Sequence, residues 1–360
     1  MVRGSFPLLE IHLARLEHNS RVIVERCAAQ GAKVIGVTKG CLGMPAVARA
    51  MLAGGVAGIG ESRLANIRRL REAGIRAEIT LLRIPMISEV SQVVELVDVS
   101  ANSELSVVRA LAEEASRRGL VHKVLVMVDV GDLREGLWPD DVLPFVREVA
   151  ALEGIEVVGL GTNLACYGGV KPSRENMGLL LELAERVRAE VGLPCPVVSG
   201  LNSAGLNMIF AGRVPPGINQ CRIGEGFLLG TESTQREPLP GLYQDCFRLV
   251  AEVIEVKDKP SVPIGDIGLD AFGNAPRFED RGWRKRALVA LGRQDVPPEG
   301  IIPLVPGVEV LGASSDHTVL DVTDCEVPVR VGDTLSFGVR YSALLGAMTS
   351  PFVEKRVIGQ

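Results

Sequence analysis

The chain has 360 residues, 47% of them apolar and 23% charged, with 39 Lys and Arg against 44 Asp and Glu for a net charge of −5. That apolar share is too high for disorder, and the mild acidity argues against nucleic acid or an anionic membrane as partner, both of which need a basic face. No run approaches ~18 consecutive apolar residues, so no membrane-spanning helix is expected, and the N-terminus meets Glu10 before any long apolar run, unlike a secretory signal.

Residues 1–12 are expected to form an N-terminal strand that joins the C-terminal domain. From 13 to 237 short apolar runs alternate with stretches of helical spacing. The runs are Lys33–Val37, Val56–Ile59, Glu78–Leu82, Leu96–Val99, Lys123–Val128, Glu156–Leu160, Pro196–Ser199 and Gly217–Arg222. They are nearly continuous in apolar character, as strands buried on both faces should be. Three helices stand out between them. Ala14–Gln30 is closed by Gly31, and Arg174–Val191 by Gly192. Ser103–Arg118 has Leu105, Val108, Leu111, Ala112 and Ala115 on one face, with Ser103 as its N-cap. The pattern predicts a (β/α)8 TIM-type barrel, for which ~250 residues is typical. A doubly wound sheet is the alternative, because strand order is not written in the sequence. The segment 238–243 (PLPGLY) reads as a linker. Beyond it Phe247–Lys257, Arg286–Leu291, Val308–Leu311, Thr318–Val322 and Thr334–Val339 alternate with Gly, Pro and Asp. Residues 238–360 are therefore expected to form a mostly-β C-terminal domain.

The seven Cys are widely spaced and no CxxC occurs, which predicts reduced thiols in a cytoplasmic protein and no zinc site. Four His (His12, His18, His122 and His317) and three Tyr (Tyr167, Tyr243 and Tyr341) leave few of the usual acid–base side chains.

In such a barrel, chemistry sits where strands end. There the sequence carries Thr38-Lys39-Gly40, Gly60-Glu61-Ser62, Asp129 to Gly136, Gly161-Thr162-Asn163, Gly200 to Gly205 and Arg222 to Gly226. A desolvated lysine at a strand end can form a Schiff base. Taken alone, Lys39 reads first as a lysine that snorkels to solvent or pairs with a carboxylate. The two Gly-rich loops change that reading. Asn202-Ser203-Ala204-Gly205 opens a helix whose N–H groups can hold phosphate, and Gly224 lets backbone approach a ligand closely. A Schiff-base lysine with a two-loop phosphate cup points to pyridoxal 5'-phosphate (PLP).

At this level of detail the sequence resembles the fold-type III PLP enzymes of the alanine racemase superfamily, and within it the ornithine racemase branch. The matching pieces are VTKG, VDVGDLREG, GLGTN, GLNSAG and RIGEGFLLG in the barrel region, and GASSDHTVLDVTD with RYSALLGAMTSPF near the C-terminus. The branch rests on PSVPIGDIGLDAFGNAPRFEDRG and LGRQDV. The resemblance implies a racemase acting on ornithine, with lysine or alanine next, by two-base proton transfer at Cα. Lys39 matches the lysine that holds PLP and works one face. Arg222 matches the arginine on the pyridine nitrogen. Arg134 matches the arginine near the phenolic oxygen and the substrate carboxylate. Asn202, Ser203, Gly224 and Glu225, the last by its backbone N–H, match the phosphate cup, with Tyr341 reaching the phosphate from the β domain. Asn163 stands where alanine racemases carry a histidine beside that arginine. A head-to-tail homodimer is implied, with each site completed by the partner's β domain.

Departures are informative. Gly43 stands where a phosphate tyrosine is expected, and Gly292-Arg293-Gln294-Asp295 where a substrate-carboxylate tyrosine is expected. The catalytic tyrosine of the second face has no counterpart. Asp270 lies nearest its place, and His317 has the most suitable ordinary pKa, with Asp316 as a further candidate. Each also has a bland reading as a turn residue. A distal ammonium on the substrate would want a carboxylate, for which Asp132, Glu135, Glu61 and Asp295 all stand near strand ends or loops. Two alternatives share the fold. One is a non-catalytic PLP-binding homeostasis protein, against which the β domain argues. The other is a PLP aldolase or decarboxylase with a metal held late in the chain, for which His317 and Cys325 are the only pointers.

Overall fold

The computed structural model describes residues 5–359; residues 1–4 and 360, the outer ends of the predicted N-terminal strand and β domain, lie outside the described residues. The chain divides into two compact units. One is Leu13–Gln244, and the other combines the segment through His12 with everything from Asp245 onward.

The second unit begins with β1 (Leu8–His12). The first unit then alternates α1 (Leu13–Ala28), β2 (Lys33–Val37), α2 (Pro45–Ala53), β3 (Gly58–Glu61), α3 (Leu64–Glu72), β4 (Glu78–Leu81), α4 (Val90–Leu96) and β5 (Val99–Asn102). It continues through α5 (Leu105–Arg117), β6 (His122–Met127), α6 (Val142–Ala150), β7 (Ile155–Gly161), α7 (Arg174–Arg186), β8 (Val197–Leu201), α8 (Leu206–Phe210), β9 (Gln220–Ile223) and α9 (Glu225–Leu229). Strands β2 to β9 close into a parallel barrel, with Lys33 to Gly36 of β2 registered on Gln220 to Ile223 of β9. The (β/α)8 expectation holds. The strands are short and apolar because both of their faces are covered. Ile59, Ile79, Val124, Val126, Leu160 and Val198 are all fully buried.

Two local differences have physical causes. The run Leu96–Val99 was expected as a strand, but Leu96 ends α4 and β5 begins only at Val99. Its later residues, Ser100 and Asn102, are polar yet buried, so no apolar signal marks them. Ser103 is not the N-cap of α5: Glu104 takes that position, with no side-chain cap bond. By contrast, Ser173 caps α7 in a reciprocal pair with Asn176. The expected linker is fastened rather than free. Asn19 on α1 donates to the Tyr243 carbonyl and accepts from its N–H, each at 2.8 Å.

The β unit adds β10 (Phe247–Pro260), β11 (Trp283–Val289), β12 (Ile301–Pro303), β13 (Glu309–Ala313), β14 (Thr318–Asp321) and β15 (Thr334–Val339), then α10 (Tyr341–Thr349) and β16 (Glu354–Ile358). The strand order is β12-β15-β10-β11-β14-β13, with β1 pairing β10 antiparallel and β16 parallel. Leu9, Ile11, Phe247, Leu249 and Phe337 form its buried interior.

Candidate active site

The barrel candidates follow the C-terminal ends of parallel strands, so the fold gathers them at one mouth. After β2 the chain enters a tight turn at Lys39–Cys41 that ends in left-handed Leu42 and Gly43. Thr38 is fully buried, and its hydroxyl donates to Glu61 Oε2 at 3.0 Å. Lys39 is therefore carried on a turn pinned to the end of β3. Glu61 is also fully buried and accepts the Ser62 N–H at 2.6 Å. Burial pushes its pKa up, against the donors of Ser62, Asn66 and Thr38. The missing tyrosine at position 43 has a steric reason: φ is +59°, and a Cβ there would lie 2.9 Å from Asn66 Cβ.

Arg222 on β9 is 6% exposed and points into the barrel, where a Cβ on Gly161 would come within 3.4 Å of its Nη1. Its Nη1 donates to the Ser199 carbonyl at 3.1 Å and to the Ser199 hydroxyl, and its Nη2 donates to the Thr162 carbonyl. Burial brings its pKa down to about 10, with Glu135 acting in the opposite direction, so it stays a cation at neutral pH. Ser199 was not singled out from sequence; a lone Ser at the end of an apolar strand is its only signal.

Asn202 and Asn163 meet. Asn202 Nδ2 donates to Asn163 Oδ1 at 3.0 Å and to the Leu164 carbonyl at 2.7 Å, while its Oδ1 accepts the Ala204 N–H at 2.9 Å. The Ser203 hydroxyl accepts from Gly224 N–H at 3.3 Å and Gly226 N–H at 3.2 Å. The loop of Gly224 to Gly226 thus aims two backbone donors at the hydroxyl that the Ser203 loop presents. Glu225 sits between those glycines. Burial raises its carboxyl to about 7, with Arg236 and Lys39 opposing and Glu232 adding to the shift.

The loop after β6 carries Arg134 and Glu135, which form an ion pair through both carboxylate oxygens. Its neighbour Asp132 is 1% exposed and accepts four backbone N–H groups, from Ala165, Cys166, Tyr167 and Val170, at 3.0–3.2 Å. Burial alone would raise this carboxyl, but those donors outweigh it and hold the pKa below the usual carboxylate value.

Asp270, His317 and Tyr341 belong to the β unit. Tyr341 opens α10. Asp270 is exposed and accepts the N–H groups of Phe272 at 2.9 Å and Asn274 at 2.8 Å within its own loop. His317 Nδ1 meets Asp316 Oδ1 at 2.8 Å, with both side chains exposed. These two turns are neighbours through Arg293. Its guanidinium lies 4.9 Å from the Phe272 ring centre, and its N–H donates to the Ser314 carbonyl at 2.9 Å. Gly292 presses so closely on the second turn that a Cβ would be 2.2 Å from the Ser315 oxygen, which bars any side chain there. Among the described residues, no group of three or more His, Cys, Asp or Glu could hold a metal.

The model of the family "Alanine racemase, N-terminal domain" matches residues 11–230. A lysine racemase of Thermotoga maritima is 46% identical over 350 residues, covering 97% of this chain and 98% of that one. An ornithine racemase of Acetoanaerobium sticklandii is 40% identical over 354 residues, covering 98% and 100%. The crystal structure of an alanine racemase from a D-cycloserine-producing Streptomyces lavendulae superposes with a TM-score of 0.77 at 18% identity, covering 99% of this chain and 98% of that one. A D-threo-3-hydroxyaspartate dehydratase mutant superposes with a TM-score of 0.73 at 20% identity, covering 96% and 90%. The chain therefore belongs to the alanine racemase family, within the fold-type III PLP racemase superfamily. It is an enzyme of the racemase class.

Proposed function

We propose that the chain racemises a basic amino acid, ornithine first and lysine next, with alanine as a lesser substrate, using PLP held on Lys39. Support for the substrate comes from full-length similarity to an ornithine and a lysine racemase. The observation that carries the reading is the meeting, at one barrel mouth, of Lys39, the buried cation Arg222 and the backbone donors of Gly224 and Gly226. That donor set fits PLP: an amine for its aldehyde, a guanidinium for its ring nitrogen, and N–H groups with the Ser203 hydroxyl for its phosphate.

Bound PLP supplies an electron-withdrawing ring that acidifies the substrate's Cα–H. The chain's residues do the rest. Lys39 Nζ takes and returns the Cα proton on one face. Arg222 would donate to the ring nitrogen and, remaining charged, would leave that nitrogen unprotonated, which would weaken the ring's pull on electrons and disfavour side reactions. Asn163 and Asn202 hold the loop beside Arg222. Arg134 receives the substrate carboxylate, Glu225 adds its N–H to the cup, and Tyr341 adds its hydroxyl. Asp270 or His317 serves the second face. We also infer a homodimer in which the partner's β domain supplies that face, and a cytoplasmic setting for its reduced thiols.

The test combines two measurements. Wild type supplied with PLP is expected to show the visible absorbance of a lysine-bound cofactor, and Lys39→Ala to lack it. Wild type is expected to abolish the optical rotation of L-ornithine and L-lysine. Absence of the absorbance band rules out the cofactor assignment. A bound cofactor without loss of rotation rules out the racemase of basic amino acids.

A further inference from the structure

A substrate with two cationic ends and one carboxylate needs an acid at the mouth that is reachable and whose present partner can be exchanged. Four carboxyls near strand ends or loops fail that requirement. Glu61 is fully buried and committed to Thr38 and Ser62. Asp132 is saturated by four N–H groups. Asp295, in the β unit, is 6% exposed and accepts from the Gly292 N–H and the Ser350 hydroxyl. Glu225 stands at the phosphate end of the site, between the glycines whose N–H groups meet Ser203.

Glu135 differs. Its side chain is 21% exposed and that of its partner Arg134 is 35% exposed, so the pair is open to a ligand yet partly desolvated. It lies close enough to Arg222 for its charge to be felt there. The loop that carries it is preorganised: Asp129 Oδ1 accepts the Gly131 N–H at 2.8 Å and the Leu133 N–H at 3.3 Å, and Asp132 ties the loop to residues 165–170.

Resting on the reading of a racemase for basic amino acids, we infer that Glu135 is a specificity-determining residue that binds the substrate's distal ammonium. The substrate's α-carboxylate takes over Arg134, and the ammonium takes the place that Arg134 vacates on Glu135. Charges then alternate around the exchanged pairs, and no carboxylate is left alone. A neutral side chain cannot complete this exchange. It would draw Arg134 away and leave a partly desolvated carboxylate without its full complement, which is costly.

The experiment compares wild type, Glu135→Gln and Glu135→Asp, each loaded with PLP and checked by absorbance. Substrates are ornithine and lysine against norvaline and norleucine, the same carbon chains without the distal amine. Ornithine affinity is also read by spectral titration. In Glu135→Gln the ratio of kcat/KM for ornithine over norvaline is expected to fall roughly ten- to hundred-fold, the worth of one charge-assisted hydrogen bond, mostly through KM. Glu135→Asp, which keeps the charge, is expected to recover part of it. An equal loss on charged and uncharged substrates means that Glu135 merely orients Arg134, and overturns the inference. Loss of the cofactor band in both variants does the same. Failure of wild type to racemise any of the four is a separate result, and removes the underlying reading instead.

Discussion

His122, the first residue of β6, is 3% exposed, and its Nε2 shares a 2.8 Å hydrogen bond with the Ser100 hydroxyl. Burial brings its pKa down to about 4 from the ordinary 6.5, with Asp98 pulling weakly the other way. Between those two values the unfolded chain binds a proton that the folded chain refuses. Stability is therefore expected to fall as pH drops from 6.5 towards 4, by at most about 3 kcal/mol, and this contribution to flatten below 4. Urea titrations of wild type and His122→Gln across that range check it; an equal pH slope in both would remove His122 as the cause. From sequence, His122 is only a residue before an apolar run. Its neutrality comes from its burial, beside Ser100, which with Asn102 is one of the two buried polar residues that hid the extent of β5 beyond Val99. Lys39 was singled out from sequence only together with the two Gly-rich loops, because alone it reads as a lysine that snorkels to solvent.

At the scale of elements, Asp132 joins two loops of the barrel mouth. The four N–H groups it accepts come from the loop after β7, and its own carbonyl accepts the Gly168 N–H at 3.1 Å. An amide cannot replace a carboxylate here, since its NH2 would face donors. Asp132→Asn is expected to cost about 2–4 kcal/mol, the usual worth of several bonds to a buried charge. Faster hydrogen exchange at Ala165, Cys166, Tyr167 and Val170 is expected with it, and unchanged exchange at those four amides would refute the brace. The helix that begins at Arg174 was read from its closing Gly192, which is left-handed at φ +79°, whereas its cap at Ser173 emerged only from the structure. They were misread at α5, whose first turn begins without a side-chain cap.

At the scale of the molecule, fold alone does not choose the reaction, since a racemase and a dehydratase superpose on this chain about equally well. The choice is therefore expected to rest on side chains at particular strand ends. Within the β unit, Arg293 touches both the loop of Asp270 and the turn of His317, the two residues proposed for the second face. Asp316 orients His317, which favours the histidine. His317→Gln is expected to abolish Cα proton exchange with solvent from one enantiomer while sparing the other, and Asp270→Asn to have the lesser effect. Measuring deuterium incorporation from each enantiomer separates the two; unchanged exchange in both variants would eliminate both.

Hydrophobic periodicity is a local property, so the sequence by itself determined the alternating barrel, the change to β-strands after it and the lysine and arginine that stand where strands end. The partners of the acids were beyond its reach. Whether a carboxylate is saturated, as Asp132 is by residues 33 to 38 positions away, or open to exchange, as Glu135 is beside Arg134, depends on which N–H groups folding delivers to it. Tertiary structure alone decided that, because desolvation and hydrogen bonding act through space and not along the chain.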